Sequence, residues 1–221
     1  MTVYNKCSFL DIITQGAGIL DLYLPDDALA NFEQYFHYLT SWNELLNLTS
    51  LNHPHDIAAL HFLDSLTIFK VLPSAVSSLL DVGTGAGFPG LVLKIASPNL
   101  DVSLLDPNPK KIVFLKRLVA ELGLHNVHFL CSHMQELPYQ PLFQHSFDAV
   151  IMRGLSLSPP QLSELALLMN QTAVLIRMLG PKSLMTSLNI RGLGTAAYWA
   201  GYLPLVSAYR RVIAYYPLPA H

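Results

Sequence analysis

The strongest chemical signal in the 221-residue chain is one run of ten residues, Asp81-Val82-Gly83-Thr84-Gly85-Ala86-Gly87-Phe88-Pro89-Gly90. Glycines at these spacings let the backbone turn tightly and let a ligand approach main-chain N–H groups. Gly85, Gly87 and Gly90 satisfy the G-x-G-x-x-G dinucleotide spacing, which is a weak signal by itself. A second residue strengthens it. Asp106 falls at the end of the next expected strand, where a carboxylate can bind both hydroxyls of an adenosine ribose. The pair points to an adenosine-containing cofactor. Asp81 lies just before the first glycine, and a carboxylate there suits a ligand carrying an ammonium and a sulfonium but repels a pyrophosphate. The loop also follows two helices instead of opening the chain. Both details favour S-adenosylmethionine over NAD, and an NAD-dependent oxidoreductase is the alternative.

Other residues with chemical potential are more dispersed. Arg153 closes an expected strand. His61 and Asp64 stand three apart on an expected helix, close enough for a buried polar contact. The chain has nine histidines, but neither His53-Pro54-His55 nor His125 and His128 has zinc-ligand spacing, so no metal site is expected. The two cysteines, Cys7 and Cys131, sit in apolar surroundings and fit a reducing compartment.

The elements that must position these groups form a helical front followed by alternating strands and helices. Pro25-Asp26-Asp27 reads as a helix start, followed by Leu29, Phe32, Phe36, Leu39 and Trp42 on one apolar face. Pro54 opens a second helix through Ile57, Leu60, Asp64 and Ile68 towards Pro73. Strands are expected at 78–82, 102–105, 127–131, 147–152 and 173–179. Helices are expected at 91–96, 110–122 and 159–169, the second of them with Val113, Leu115, Leu118 and Leu122 inward. Residues 198–203 and 208–216 suggest a closing hairpin. Such alternation implies a parallel, doubly wound sheet.

Composition narrows the class further. With 52% hydrophobic and 13% charged residues the chain is neither disordered nor a coiled coil. Every apolar run is interrupted well before the ~18 residues a membrane helix needs, and Met1–Leu20 does not read as a signal peptide. The net charge of −2 hides an asymmetry, because six of the 13 Lys and Arg lie beyond residue 149 against Glu164 alone. Such a basic third could face a polyanion or could simply solubilise an apolar segment.

Four strings together resemble the glucose-inhibited division protein B family. They are Trp42-Asn43…Asn47-Leu48-Thr49, His61-Phe62-Leu63-Asp64-Ser65, the Asp81–Gly90 loop, and Lys110-Lys111…Phe114-Leu115. The resemblance runs from about residue 25 to residue 180. It implies a class I (Rossmann-like) methyltransferase fold, a seven-stranded doubly wound sheet with a helical N-terminal extension. The expected division is residues 1–73 for the extension and 74–221 for the methyltransferase domain. The implied activity is S-adenosylmethionine-dependent methylation of N7 of a guanine in small-subunit (16S) ribosomal RNA, by a cytoplasmic monomer acting on that RNA or on the small subunit. The resemblance places Asp81, Gly83, Gly85, Phe88, Asp106, Met134, Gln135 and Arg153 at the cofactor, with Arg153 also catalytic. It places His61, Arg177 and Lys182 towards the RNA. The sequence departs from the family at Leu60 and His133, where arginines are usual, and at Gln135, where an acid is usual. Losing cations near the mouth motivates a second alternative, a non-catalytic RNA-binding or assembly factor that kept the fold.

Overall fold

The computed structural model describes residues 8–180, 193 and 195–217. Helix α1 (Phe9–Ile19) opens on a capping box. The Ser8 hydroxyl accepts from the Asp11 amide, and the Asp11 carboxylate accepts from the Ser8 amide. This helix lies in a stretch to which the sequence reading assigned no element. Helix α2 (Asp26–Leu46) carries Asp26 and Asp27 in its first turn, where they complement the positive end of the helix dipole. It stops at Asn47, which adopts a left-handed conformation (φ 49°).

The helix expected from Pro54 is not uniform. Helix α3 (Pro54–Ile57) passes into a π-helical segment, Ala58–Leu63, then a single turn α4 (Asp64–Leu66), then a 3-10 turn, Thr67–Lys70. A π segment is rare and tends to occur at functional sites. Periodicity at 3.6 residues does not reveal it, because from Ile57 to Ile68 every apolar residue except Leu60 is buried, which leaves no single face to count from.

Next come β1 (Ser78–Val82), α5 (Gly90–Ala96), β2 (Asp101–Leu105), α6 (Pro109–Glu121), β3 (Val127–Leu130), β4 (Phe147–Arg153), α7 (Pro159–Leu165), β5 (Met169–Leu179), β6 (Ala197–Leu203) and β7 (Val206–Pro217). Asn108 caps α6 by accepting from the Lys110 amide at 2.9 Å, and Pro109 fills the first helical position. The seven strands lie in the order β3-β2-β1-β4-β5-β7-β6. The first five are parallel and the closing β6–β7 hairpin is antiparallel. From β1 the chain winds outward through β2 and β3, then returns to lay β4 and β5 on the other side. The reversal leaves a crevice at the carboxyl ends of β1 and β4, where open α/β sheets bind ligands.

Two apolar clusters cover the sheet. One joins Leu79, Leu104, Ile151 and Ile176 to α1, α2, the π segment, α5 and α6, so the N-terminal helices share a core with the sheet. The other joins Leu80, Leu105, Met152 and Leu175 to Met134, Leu137 and α7. Among the described residues no helix is long and apolar enough to cross a membrane.

Several expectations are corrected. The helix expected over 159–169 is α7 to Leu165 followed by a 3-10 turn, Ala166–Leu168, and Met169 already pairs with Phe147 as the start of β5. Val113 points outward, while Ile112, Phe114, Leu115 and Leu118 are buried. Cys131, expected in apolar surroundings, is exposed just after β3, and Cys7 lies outside the described residues.

Candidate active site at the carboxyl ends of β1 and β4

The glycine run links β1 to α5. Gly83, Gly85 and Gly87 all have positive φ (69°, 61° and 102°), which side chains rarely adopt, so the turn depends on glycine. The amides of Gly83 and Thr84 donate to the Leu105 carbonyl at 2.8 and 3.0 Å, tying the loop to the end of β2. Asp81 organises the loop from below. Its Oδ2 accepts from the Thr84 hydroxyl at 2.6 Å and from the Gly90 amide at 2.8 Å. A Cβ on Gly90 would lie 2.7 Å from that same oxygen, so only glycine lets α5 start against the carboxylate.

The other Asp81 oxygen, Oδ1, is buried with no hydrogen-bond partner. Burial raises this carboxyl from its ordinary 3.8 to about 6, although Thr84, Gly90 and the positive charge of Arg153 pull the other way. A buried carboxylate with an unused oxygen is an incomplete electrostatic arrangement. A cationic ligand in the crevice would complete it.

Asp106 is 4% exposed at the end of β2. Its Oδ1 accepts from the Asn108 amide at 2.9 Å, and its Oδ2 accepts from the Gly85 amide at 3.1 Å and from Lys111 at 3.4 Å. A carboxylate has about four acceptor positions, so capacity remains for a sugar hydroxyl. The Met134–Tyr139 turn follows β3, with Met134 buried against the second cluster and Gln135 exposed. The glycine cradle, the orphaned Asp81 oxygen and the spare capacity of Asp106 together fit a cationic, adenosine-containing group.

Phe88 packs behind the loop, 4% exposed. Its ring stacks on Tyr35 (centroids 5.1 Å apart) and on His61 (4.6 Å), and Phe62 meets it edge-on at 5.3 Å. The Tyr35 hydroxyl donates to the Ala86 carbonyl at 2.5 Å, which fixes the loop from helix α2.

Arg153 reaches from the end of β4 into the π segment. Its Nη1 donates to the Leu60 carbonyl at 3.1 Å and to Asp64 Oδ2 at 3.3 Å, and its Nη2 lies 3.2 Å from His61 Nδ1. Arginine only donates, so His61 Nδ1 accepts, and the ring proton resides on Nε2, 2.7 Å from Thr49 Oγ1. Burial and the neighbouring guanidinium lower His61 from 6.5 to about 3, so the ring is neutral at physiological pH. With both nitrogens engaged and its face on Phe88, His61 holds Arg153 and has no nitrogen left for RNA.

Asp64 is wholly buried and takes a second arginine, Arg211 of β7, at 2.6 and 2.5 Å. The expected polar contact between His61 and Asp64 is replaced by a bridge, with Arg153 contacting both side chains. The string Trp42-Asn43…Asn47-Leu48-Thr49 also acquires a physical meaning. Asn43 Oδ1 accepts from the Thr49 amide at 2.8 Å, and the left-handed Asn47 turns the chain so that Thr49 meets His61.

One expected RNA contact, Arg177, does not join this group. Arg177 pairs in register with Met152, on the face opposite that of Arg153 and Met178, and is buried with Nη1 3.4 Å from the Tyr216 hydroxyl. Lys182 lies outside the described residues. The basic C-terminal third is therefore in part an internal feature, since Arg177 and Arg211 are buried and Arg153 is half-buried. Sequence reasoning missed Arg211 and Tyr35. The available signal for Arg211 was a cation beside the apolar run Val212-Ile213-Ala214, which requires a buried partner but does not say which.

The fold and crevice define a class, the open α/β sheet that binds a nucleoside-containing group at its switch point. Solved structures share that architecture. A SAM-dependent methyltransferase from Aquifex aeolicus aligns with a TM-score of 0.56 at 20% identity, over 79% of this chain and 98% of that one. A methyltransferase from Geobacter sulfurreducens aligns with a TM-score of 0.54 at 16% identity, over 93% and 96%. The family model described as rRNA small subunit methyltransferase G (GidB) matches residues 28–185, well over half of the chain, and the chain belongs to that family. Among curated relatives of that name, one from Moorella thermoacetica is 39% identical over 135 residues, 60% of this chain and 56% of that protein. One from Desulforamulus reducens is 33% identical over 145 residues, 65% and 60%. The chain matches about three-fifths of the length of these relatives.

Proposed function

We propose that this chain is an S-adenosylmethionine-dependent methyltransferase that methylates N7 of a guanine in small-subunit (16S) ribosomal RNA, in the cytoplasm. The reading is carried by one coincidence. The family match over residues 28–185 contains every residue of the crevice described above except Arg211. The buried Asp81 carboxylate beneath the loop adds to it, since that charge favours a cationic ligand and opposes the pyrophosphate of NAD.

When bound, S-adenosylmethionine supplies a methyl group whose bond to sulfur breaks, with both electrons going to sulfur, as the N7 lone pair forms the new bond. No proton leaves N7, so the chain needs no general base. Its work is positioning and electrostatics. The glycine loop offers backbone to the donor, Asp106 offers acceptors to the ribose, and Asp81 places negative charge under the cationic group. Arg153 uses three of its five donors on Leu60, Asp64 and His61, leaving Nε–H and one Nη2 hydrogen for guanine O6, a phosphate or the donor's carboxylate. It cannot occupy N7, which must remain open to the methyl group.

The test uses small subunits from cells lacking this protein, incubated with the purified chain and methyl-labelled S-adenosylmethionine. Mass spectrometry of the digested RNA is expected to show one gained 7-methylguanosine. RNA binding without any new methylguanosine would instead support the non-catalytic assembly factor.

A further inference from the structure

Asp64 has no solvent exposure, yet two guanidinium groups from the C-terminal third of the chain converge on it. They hold it unequally. Arg211 grips it with two prongs, Nε to Oδ1 at 2.6 Å and Nη2 to Oδ2 at 2.5 Å, and anchors Nη1 on the Leu179 carbonyl at 2.6 Å. Arg153 has only Oδ2, at 3.3 Å, and spends its other contacts on Leu60 and His61. The arrangement follows from the register. Arg153 pairs with Met178 and Met178 with Ile213, so β4, β5 and β7 present Arg153 and Arg211 on one face, the face that carries the π segment.

We infer that Arg211 is a positioning residue for methyl transfer: by engaging both oxygens of Asp64 in the two-pronged geometry, it keeps Arg153 on a single oxygen, with donors to spare for substrate. A buried carboxylate strips of its partners at high cost, and the best geometry open to it is a two-pronged guanidinium. Among the described residues, the other guanidinium in contact with Asp64 is Arg153. Turning to take both Asp64 oxygens, it would abandon Leu60 and His61 and withdraw the donors left for substrate. The β6–β7 hairpin, beyond the family match at residue 185, thereby sets the geometry of the crevice. This inference rests on the reading of the crevice as a methyl-transfer site.

Two arms test it. In a crystal structure of Arg211→Met, Arg153 is expected to have rotated to bind both oxygens of Asp64. In methylation assays on small subunits, Arg211→Met is expected to lower kcat about tenfold while leaving S-adenosylmethionine affinity within twofold. Arg211→Lys keeps the charge but loses the fork, so its kcat should be intermediate. In an Arg153→Lys background, Arg211→Met should cost less than twofold more, because the residue through which it acts is already altered. An unmoved Arg153 overturns the inference, as do losses that multiply independently or a folded Arg211→Lys with wild-type kcat. If Arg211→Met does not fold, the structure and kcat of Arg211→Lys decide the matter. A wild-type protein unable to transfer methyl groups would defeat the proposed function, and the crystallographic arm would still judge the inference.

Discussion

The two walls of the crevice are built in opposite ways. The wall of the glycine loop and Asp106 comes from 26 consecutive residues, 81–106, and its groups meet through neighbouring strands and one turn. The wall around Arg153 gathers Thr49, Leu60, His61, Asp64 and Arg211 from distant positions, with Arg211 and Asp64 147 residues apart. Their electrostatics differ too. The first carries two buried carboxylates, Asp81 and Asp106, eased by one lysine. The second carries two arginines on one carboxylate, beside a histidine kept neutral. The crevice is therefore acidic where a cationic donor would sit and basic where an electron-rich acceptor would approach. The two walls should respond differently to change.

The largest difference is expected from Arg153→Ala. Turnover should fall about a thousandfold, the scale seen when a preorganised donor is removed. S-adenosylmethionine affinity should fall far less than turnover, because Asp81 and Asp106 on the opposite wall are intact. Initial rates and calorimetry on the same preparation separate the two effects, and equal losses in both would erase the distinction between the walls.

Asp81→Asn should do the reverse. Affinity for S-adenosylmethionine is expected to drop about thirtyfold, roughly 2 kcal/mol. The unliganded protein should gain stability at pH 8 relative to pH 4, compared with wild type. The sign follows from linkage. Asp81 is raised to about 6 in the fold, so its contribution is fully present below 3.8 and lost as pH rises through 6. His61 is lowered to about 3, so its contribution is present above 6.5 and lost as pH falls towards 3. Thermal melts of wild type and Asp81→Asn at the two pH values check this, and a difference between variant and wild type that is no more favourable at pH 8 than at pH 4 contradicts it.

Gly90→Ala should cost about 1–3 kcal/mol, because its methyl group would press on Asp81 and on Leu104 in a filled core. Denaturant melts measure this, and a change under half a kilocalorie would mean that α5 can shift away from Asp81. The mildest effect is on pH. Donor affinity should be flat above pH 6 and weaken below it towards tenfold per unit, as Asp81 takes up a proton.

The contrast between the walls also explains what was legible in the sequence. The glycine run, Asp81 and Asp106 announce themselves because positive φ, close approach and strand-end carboxylates demand particular residue types at fixed spacings. The five parallel strands were readable from short apolar runs bounded by turns. Arg211 was not readable, because nothing local says that a cation in β7 meets an aspartate on a helical turn far upstream. Neither was the π segment, because its residues are apolar and buried on nearly every side and show no periodic face to be shifted. Arg177 misled for a related reason, since a strand's alternation sends it to the opposite face from Arg153, one residue out of phase with the site.

The most direct test of the central claim is a calorimetric titration of the purified protein with S-adenosylmethionine at pH 6 in two buffers of different ionisation enthalpy. One site per chain is expected, with proton release from Asp81 revealed by the buffer dependence of the heat and no comparable heat with NAD. No binding of S-adenosylmethionine, or binding of NAD in its place, would contradict the account.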